Sequence, residues 1–549
     1  MSQQPVLRGQ AETVGGMLRA CGRRFAGRLA VTDGAGRDRT YAQLLDRGAR
    51  FANVLLGLGV SPGDRVAAML EDRTEAVEVY AGTMLAGCVL VHVSARYTAA
   101  EVAHLLRDSD ARVLVHTAGV AAVAAEAAAA AELRVVLSIG DQDAHGALDL
   151  ESALAAASAV PPAERREPED LAILAYTSGT TGRPKAAMVS HRSVVGCARV
   201  APYYYGLDPG SRIAFAASFS FVGTVWAQVF PALWMGGTAD ILGRVDGDQW
   251  VERIASTGAA FTYVSSPRIP EFMAALRRRP AALGSLRTVM HSGSAAPRGL
   301  LAELFELVGD RLTEHWGATE VVGSLTATRP GDHGRGGRAE DIFSSVGRPL
   351  PTADVVVVDS DGNRVGPGVA GELLVQSDTM FSGYWRAPEK NASAFRDGWF
   401  RTADVGYRDP AGYVYLVGRS SELIVSGGAN VYPAEIERVI QELDAVEHVG
   451  VFGLPHERWG ETVVAAVVTR PGASITQDEV IAHCARQLAG YKKPTRVLFV
   501  DGLPTNASQK LDRRLLRAQF LGPQPLEPQP LDQETGPPRA GAAAWRRSG

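Results

Sequence analysis

Ten consecutive residues, Tyr176-Thr177-Ser178-Gly179-Thr180-Thr181-Gly182-Arg183-Pro184-Lys185, hold four serine or threonine hydroxyls, two glycines and two cations. They directly follow the apolar stretch 171–175. That composition suits a loop closing over a polyphosphate. Glycine lets backbone N–H groups approach phosphate oxygens, hydroxyls add donors, and a lysine supplies a compact positive charge. The spacing is not that of a Walker loop, in which four residues separate the first glycine from Gly-Lys-Ser/Thr. Here two residues separate Gly179 from Gly182, and Arg183-Pro184 precede Lys185.

Further segments of chemically loaded residues follow in order. They are Ser292-Gly293-Ser294-Ala295, His315-Trp316-Gly317-Ala318-Thr319-Glu320, Arg401-Thr402-Ala403-Asp404, Gly418-Arg419-Ser420-Ser421-Glu422-Leu423-Ile424, Gly427-Gly428-Ala429-Asn430-Val431-Tyr432-Pro433, and Leu503-Pro504-Thr505-Asn506-Ala507-Ser508-Gln509-Lys510. Any one segment is weak by itself; the ordered set is specific. Together they resemble the adenylate-forming superfamily, which comprises acyl-CoA synthetases, adenylation domains of peptide synthetases and luciferases. The resemblance covers roughly residues 10 to 520.

That resemblance implies ATP-dependent activation of a carboxylic acid to an acyl-adenylate, followed by transfer to a thiol. The attack of a carboxylate on an α-phosphate brings two anions together, so the site must neutralise charge and stabilise the pyrophosphate leaving group. The implied catalytic residues are Lys510, Glu320 and Thr319. Glu320 and Thr180 are the expected holders of Mg²⁺, a cation that takes hard oxygen donors and keeps several waters. Thr177, Ser178, Gly179, Thr180, Thr181, Gly182 and Lys185 would surround the phosphates. Gly293, Ser294, Ala295, Trp316 and Gly317 would flank the adenine, with Trp316 offering a flat face. Asp404 would take the ribose hydroxyls, since a carboxylate accepts two hydrogen bonds from a cis-diol, and Arg419 would assist. Glu422 occupies the hinge about which the small domain swings, and Gly427 and Gly428 would then face the pantetheine. Two positions depart from the usual pattern. Gln509 stands where a glycine is usual, and Ser220 where many acyl-CoA synthetases have histidine.

The resemblance also places the acyl pocket along Phe219, Ser220, Phe221, Val222 and Gly223, with 263–267, 292–295 and 321–325 contributing, among them Val321 and Gly323. Amino-acid-activating relatives pair Phe with Asp in the first stretch; Phe219-Ser220 has no acid beside it. A buried, unpaired ammonium is costly, so the expected substrate is a fatty or aromatic acid rather than an α-amino acid. No Gly-Gly-x-Ser-type phosphopantetheine segment is fused to the chain, so the expected acceptor is CoA. Two alternatives stay open: a stand-alone enzyme loading a separate phosphopantetheinyl carrier protein, and a catalytically weakened nucleotide-binding homologue.

Composition narrows the class further. A chain of 549 residues exceeds one ordinary core, so two or more domains are expected. Hydrophobic content of 46% and charged content of 21% are those of a globular protein, and a net charge of −4 makes no case for a nucleic-acid partner. Cys21, Cys88, Cys197 and Cys484 are scattered, which suggests reduced thiols rather than disulfides or zinc. Neither a signal peptide nor a membrane-spanning apolar run is evident, so a cytoplasmic location is expected.

Periodicity supplies the frame. Residues 41–58 and 74–86 read as helices, 65–69 and 112–116 as strands, and Ala-rich 120–133 as a surface helix. This alternation predicts α/β layers around a largely parallel sheet. Between 344 and 418, glycine and proline punctuate short β-rich runs, predicting a small antiparallel sheet. After Gly418 a small α+β domain is expected, with a helix from Pro433, strands at 448–452, 463–469 and 497–500, and a Thr476/Glu479 capping box. The expected divisions are 1–419 (AMP-binding, acyl and ATP sites), 420–520 (mobile lid with the catalytic lysine) and 521–549 (a proline-rich disordered tail).

Overall fold

The computed structural model describes residues 12–140, 146–163, 166–177, 184–294, 296–333, 342–427, 429–505 and 511–521. Four sheets organise them. The predicted helices and strands form because apolar residues recur at the right period. Tyr41–Gly57 is opened by a Thr40/Gln43 capping box and buries Leu44, Phe51 and Leu55 on one face. Thr74–Leu85 is buried all round, as a helix between layers must be.

The first sheet has seven strands, in the order Leu148–Asp149, Val135–Ile139, Ala111–Thr117, Arg65–Met69, Val89–Val93, Leu171–Thr177, Lys185–Ser190. All neighbours are parallel except the last pair. The second has nine strands and is parallel at its centre, where Phe261–Val264, Thr288–Ser292 and Leu312–Ala318 lie side by side. Its far edge is built from the N-terminal strands Leu29–Thr32 and Arg39–Thr40, the former joined in parallel to Thr238–Ile241. The Ala-rich stretch is a helix at Ala121–Ala130, but Ala121, Ala124, Ala127 and Ala128 are buried, so one side is a packing face.

The third sheet is wholly antiparallel and spans Ala353–Val358 to Val414–Arg419, as the glycine and proline punctuation predicts. The fourth belongs to the C-terminal region and is mixed, with Arg496–Phe499 parallel to Gly460–Thr469. Ile424, Ile436, Val439, Ile440 and Val463 form a core there, separate from the cores of the first two sheets. The helix Gln477–Gln487 carries the expected Thr476/Glu479 box. All four cysteines are free and buried. Burial pushes the thiols up, to about 11 for Cys21 and Cys484 and about 12 for Cys88 and Cys197. Among the described residues no helix is long and apolar enough to cross a membrane. Most of the expected tail (522–549) lies outside the described residues.

Candidate active site

The hydroxyl-rich run lies between two antiparallel strands. Thr177 ends one and Lys185 begins the next, and the two residues pair directly. Ser178, Gly179, Thr180, Thr181, Gly182, Ala295, Gly428 and Lys510 lie outside the described residues.

Lys185 points to Glu320. Its Nζ is 4.0 Å from Glu320 Oε1 and 3.8 Å from the centre of the Tyr384 ring. The Tyr384 hydroxyl donates to the same Glu320 oxygen at 2.8 Å. Burial holds Lys185 below the ordinary lysine range; Lys390 and Arg419 add to the shift and Glu320 opposes it. Burial and the Glu320 carboxylate together push the Tyr384 hydroxyl up. A cation, a carboxylate and a phenol thus meet at Lys185, where the hydroxyl-rich run ends. Tyr384 arrives because 382–385 runs along Lys185–Ser190, with Trp385 N–H donating to Ala186 and Met188 N–H to Gly383. Sequence reasoning passed over this tyrosine, which lies 64 residues from its partner.

Glu320 sits in the tight turn Thr319–Val321, between the antiparallel strands Leu312–Ala318 and Gly323–Ala327. Val322 adopts φ 48°, an unusual conformation for a β-branched residue, and Gly323 adopts φ 130°. Such strain is found where a turn must aim a functional side chain. Gly317, expected beside the nucleotide, has a clear role in the fold. A Cβ there would lie 2.0 Å from the Gly323 carbonyl oxygen, so only glycine lets the two paired strands approach this closely. A Cβ at Gly323 would crowd Cys197 Sγ at 3.0 Å. Val321, expected in the acyl pocket, is fully buried.

The ribose-binding candidates converge as well. Asp404 and Arg419 are cross-strand partners, and Arg419 Nε lies 3.0 Å from Asp404 Oδ1. The other Asp404 oxygen accepts from Trp316 Nε1 at 3.1 Å. The Trp316 indole, expected to present a flat face, is only 7% exposed. What it offers here is an N–H that fixes the carboxylate. Ala403 precedes this aspartate with φ 58°, a left-handed conformation that costs an L-residue about 1–2 kcal/mol. Ala403→Gly is therefore expected to raise stability by about 1 kcal/mol, read as a higher denaturation midpoint; a lower one would mean that the methyl group packs productively.

Along the expected acyl stretch, Phe219 is 1% exposed and makes edge contacts with Tyr80 and Phe215. Ser220, Phe221, Val222 and Gly223 are half-buried, and a Cβ on Gly223 would meet nothing within 4 Å. Arg96 lies over the Phe221 ring at 5.6 Å. Two residues that sequence reasoning did not single out hold this stretch. Asp72 accepts the Phe219 N–H, and His92 Nε2 lies 2.6 Å from the Phe219 carbonyl. Burial keeps His92 near 4, so its ring is neutral and Nε2–H donates to that carbonyl. Directly after the stretch, Val225–Val229 forms a π-helical turn, a feature common at functional sites. Its loosened carbonyls accept Cys197 Sγ–H at Trp226 and the Tyr205 hydroxyl at Ala227.

On the adenine side, Gly293 adopts φ 92° and Ser294 Oγ lies 2.9 Å from Ser266 Oγ. Toward the C-terminal region, the hinge candidate Glu422 is gripped by Arg513 at 2.7 Å, and the same guanidinium holds Glu437. Gly427, at φ 59°, opens the tight turn between Ile424–Ser426 and Ala429–Val431 and donates its N–H to the Trp459 carbonyl. Among the described residues no three carboxylate, imidazole or thiol groups converge on one point. The Glu320 carboxylate beside Lys185 nevertheless suits Mg²⁺, which is usually held by one or two carboxylates together with substrate phosphates.

Comparison with known proteins identifies the family. The model of the AMP-binding enzyme family matches residues 18–385, and that of the AMP-binding enzyme C-terminal domain matches 435–510. The feruloyl-CoA synthase of an Amycolatopsis species is 35% identical over 483 residues, covering 88% of this chain and 94% of the relative. The long-chain-fatty-acid–CoA ligase FadD13 of Mycobacterium tuberculosis is 33% identical over 494 residues, covering 88% and 93%. The crystal structure of ATP-bound MatB from Rhodopseudomonas palustris superposes with a TM-score of 0.81 at 31% identity, covering 92% of this chain and 98% of that one. The chain belongs to the AMP-binding enzyme family, the adenylate-forming enzymes close to the acyl-CoA synthetases.

Proposed function

We propose that the protein joins a fatty or aromatic carboxylic acid to the thiol of CoA, through an acyl-adenylate, with release of pyrophosphate and AMP. It is an acid–CoA ligase of the AMP-forming kind. The observation that carries the reading is the meeting of Lys185, Glu320 and Tyr384 at the end of the hydroxyl-rich run. Lys185 offsets charge on the phosphates, and Glu320 supplies a hard oxygen for Mg²⁺, which when bound would draw charge from the phosphate oxygens. Tyr384 fixes the orientation of the carboxylate. Asp404, held by Trp316 and Arg419, receives the ribose hydroxyls. Lys510 is the residue that bridges the substrate carboxylate and the α-phosphate. The division into 1–419 and 420–520, hinged at Glu422, lets the second portion rearrange between the two half-reactions.

The substrate class follows from the half-buried Phe221 and Val222 and from the names of the relatives, whose acids are ferulic and long-chain fatty acids. Asp72, the carboxylate that touches the acyl stretch, is occupied by the Phe219 N–H and the Ser218 hydroxyl. It is not free to meet a substrate ammonium.

The test is ATP-dependent pyrophosphate release across fatty, aryl and amino acids, with and without CoA. Release driven by one acid class, with acyl-CoA formed when CoA is present, is the expected result. Turnover that stops at acyl-AMP despite CoA would move the acceptor to a carrier protein. Asp404→Ala should weaken ATP binding by about tenfold to a hundredfold, since it deletes charge-assisted hydrogen bonds. Unchanged affinity in a calorimetric titration would remove the ribose assignment.

A further inference from the structure

One chain of polar groups runs from the interior to Ser266 and Ser294, in the segments expected to line the acyl pocket, and the ligation chemistry above gives its serine and histidine no role. The parallel strands Phe261–Val264, Thr288–Ser292 and Leu312–Ala318 end side by side, and His291 pairs across the sheet with Glu314. Ser266 follows the first of these strands, at the start of the turn Ser266–Arg268 that leads into the helix Ile269–Arg278. Its Oγ lies 2.8 Å from His291 Nε2, and His291 Nδ1 lies 2.7 Å from Glu314 Oε2. His291 is 1% exposed and Glu314 5%. The second Glu314 oxygen has no hydrogen-bond partner among the described residues. Ser266 is half-buried, beside the Ser294 hydroxyl at 2.9 Å and the Ser294 carbonyl at 3.2 Å.

These are the relations of an activated hydroxyl: nucleophile to base, base to orienting carboxylate. A buried carboxylate on Nδ1 fixes the proton there and leaves the Nε2 lone pair facing the serine O–H. Keeping an anion in the interior is costly, and here its one partner in the network is the imidazole. The serine also stands at a strand-to-helix turn, where a nucleophile is presented at the end of a sheet.

We propose that Ser266, His291 and Glu314 form a second catalytic site, which transfers the acyl group of an activated ester or thioester to water. Ser266 Oγ attacks the carbonyl carbon and its proton passes to His291 Nε2. The bond to the leaving group breaks, and that proton leaves with the departing alkoxide, thiolate or phosphate. Water, deprotonated by the same imidazole, then attacks the Ser266 ester, releasing the free acid and restoring the hydroxyl. Glu314 is a positioning residue that stabilises the imidazolium. The natural use of such a site, returning wrongly activated acids to the pool, rests on the ligase reading; the hydrolysis itself does not.

The experiment mixes the full chain with p-nitrophenyl butyrate, without ATP, Mg²⁺ or CoA, and follows nitrophenolate release and peptide mass. The expected result is a stoichiometric burst, a butyryl adduct on the Ser266 peptide, and labelling of the same residue by a fluorophosphonate. Ser266→Ala should lose the adduct and at least about a hundredfold in rate. Glu314→Gln should keep the adduct but form it more slowly, with a displaced pH profile. Ser266→Cys preserves the geometry and should place iodoacetamide alkylation at that position, which guards against a misfolded alanine variant. Absence of an adduct at Ser266, or hydrolysis unchanged in Ser266→Ala, overturns the proposal. Failure of the ligase reading is distinguishable, because it would leave ester hydrolysis intact while no acid drives pyrophosphate release.

Discussion

Lys510→Ala should lower acyl-adenylate formation by roughly a hundredfold to a thousandfold, the scale on which loss of one preorganised charge acts. It should leave thioester formation from supplied acyl-AMP nearly unchanged. The carboxylate and the α-phosphate must approach as two anions, and only the first half-reaction brings them together. Lys510 itself lies outside the described residues, but its surroundings are held without it. Leu511 bridges to Thr505. Three residues after the lysine, Arg513 is clamped to Glu422, Glu437 and the Val451 carbonyl. Alanine should therefore remove the ammonium without unfolding the segment. Rapid-quench measurement of both half-reactions checks this, and equal loss of the two would take the bridging role away from Lys510.

Glu320→Gln should have an effect of similar size on adenylation, about two to three orders of magnitude, and should shift the Mg²⁺ dependence to higher concentration. The amide oxygen can still accept from the Tyr384 hydroxyl, so the turn around Thr319–Val321 should persist. The negative charge facing Lys185 disappears. A titration of initial rate against Mg²⁺ separates the two contributions: a lower rate with an unchanged Mg²⁺ midpoint would place the metal elsewhere.

The residues whose chemistry resides in the side chain were the legible ones. Glu320, Asp404, Arg419 and Lys185 stand in short linear segments, and the fold brings the first to the fourth and the second to the third. Residues that act through close backbone approach or long-range contact were hidden. Gly317 reads as a nucleotide contact, and its close approach to the Gly323 carbonyl was not legible. Trp316 reads as a flat face, while the bond from its indole N–H to Asp404, 88 residues away, was not legible. The near-complete burial of Phe219 and Val321 depends on which elements pack over them, which a linear sequence does not show. Tyr384 and the Ser266–His291–Glu314 chain depend on which strands are neighbours, which periodicity does not reveal. The α/β alternation and the antiparallel third sheet were visible locally. The joining of Leu29–Thr32 to a sheet formed mostly after residue 210 was not, because that pairing spans about two hundred residues.

The four buried cysteines turn the protein into its own clock. Cys21, Cys88 and Cys197 belong to the first three-quarters of the chain, and Cys484 is packed in the separate C-terminal core. Buried thiols of raised pKa react only when their surroundings open, so alkylation under native conditions counts opening events. Because one sulfhydryl reports on the small unit and three on the large one, peptide-resolved labelling times the breathing of each in a single tube. Adding ATP or an acid to that tube would show which of the two units each ligand quiets.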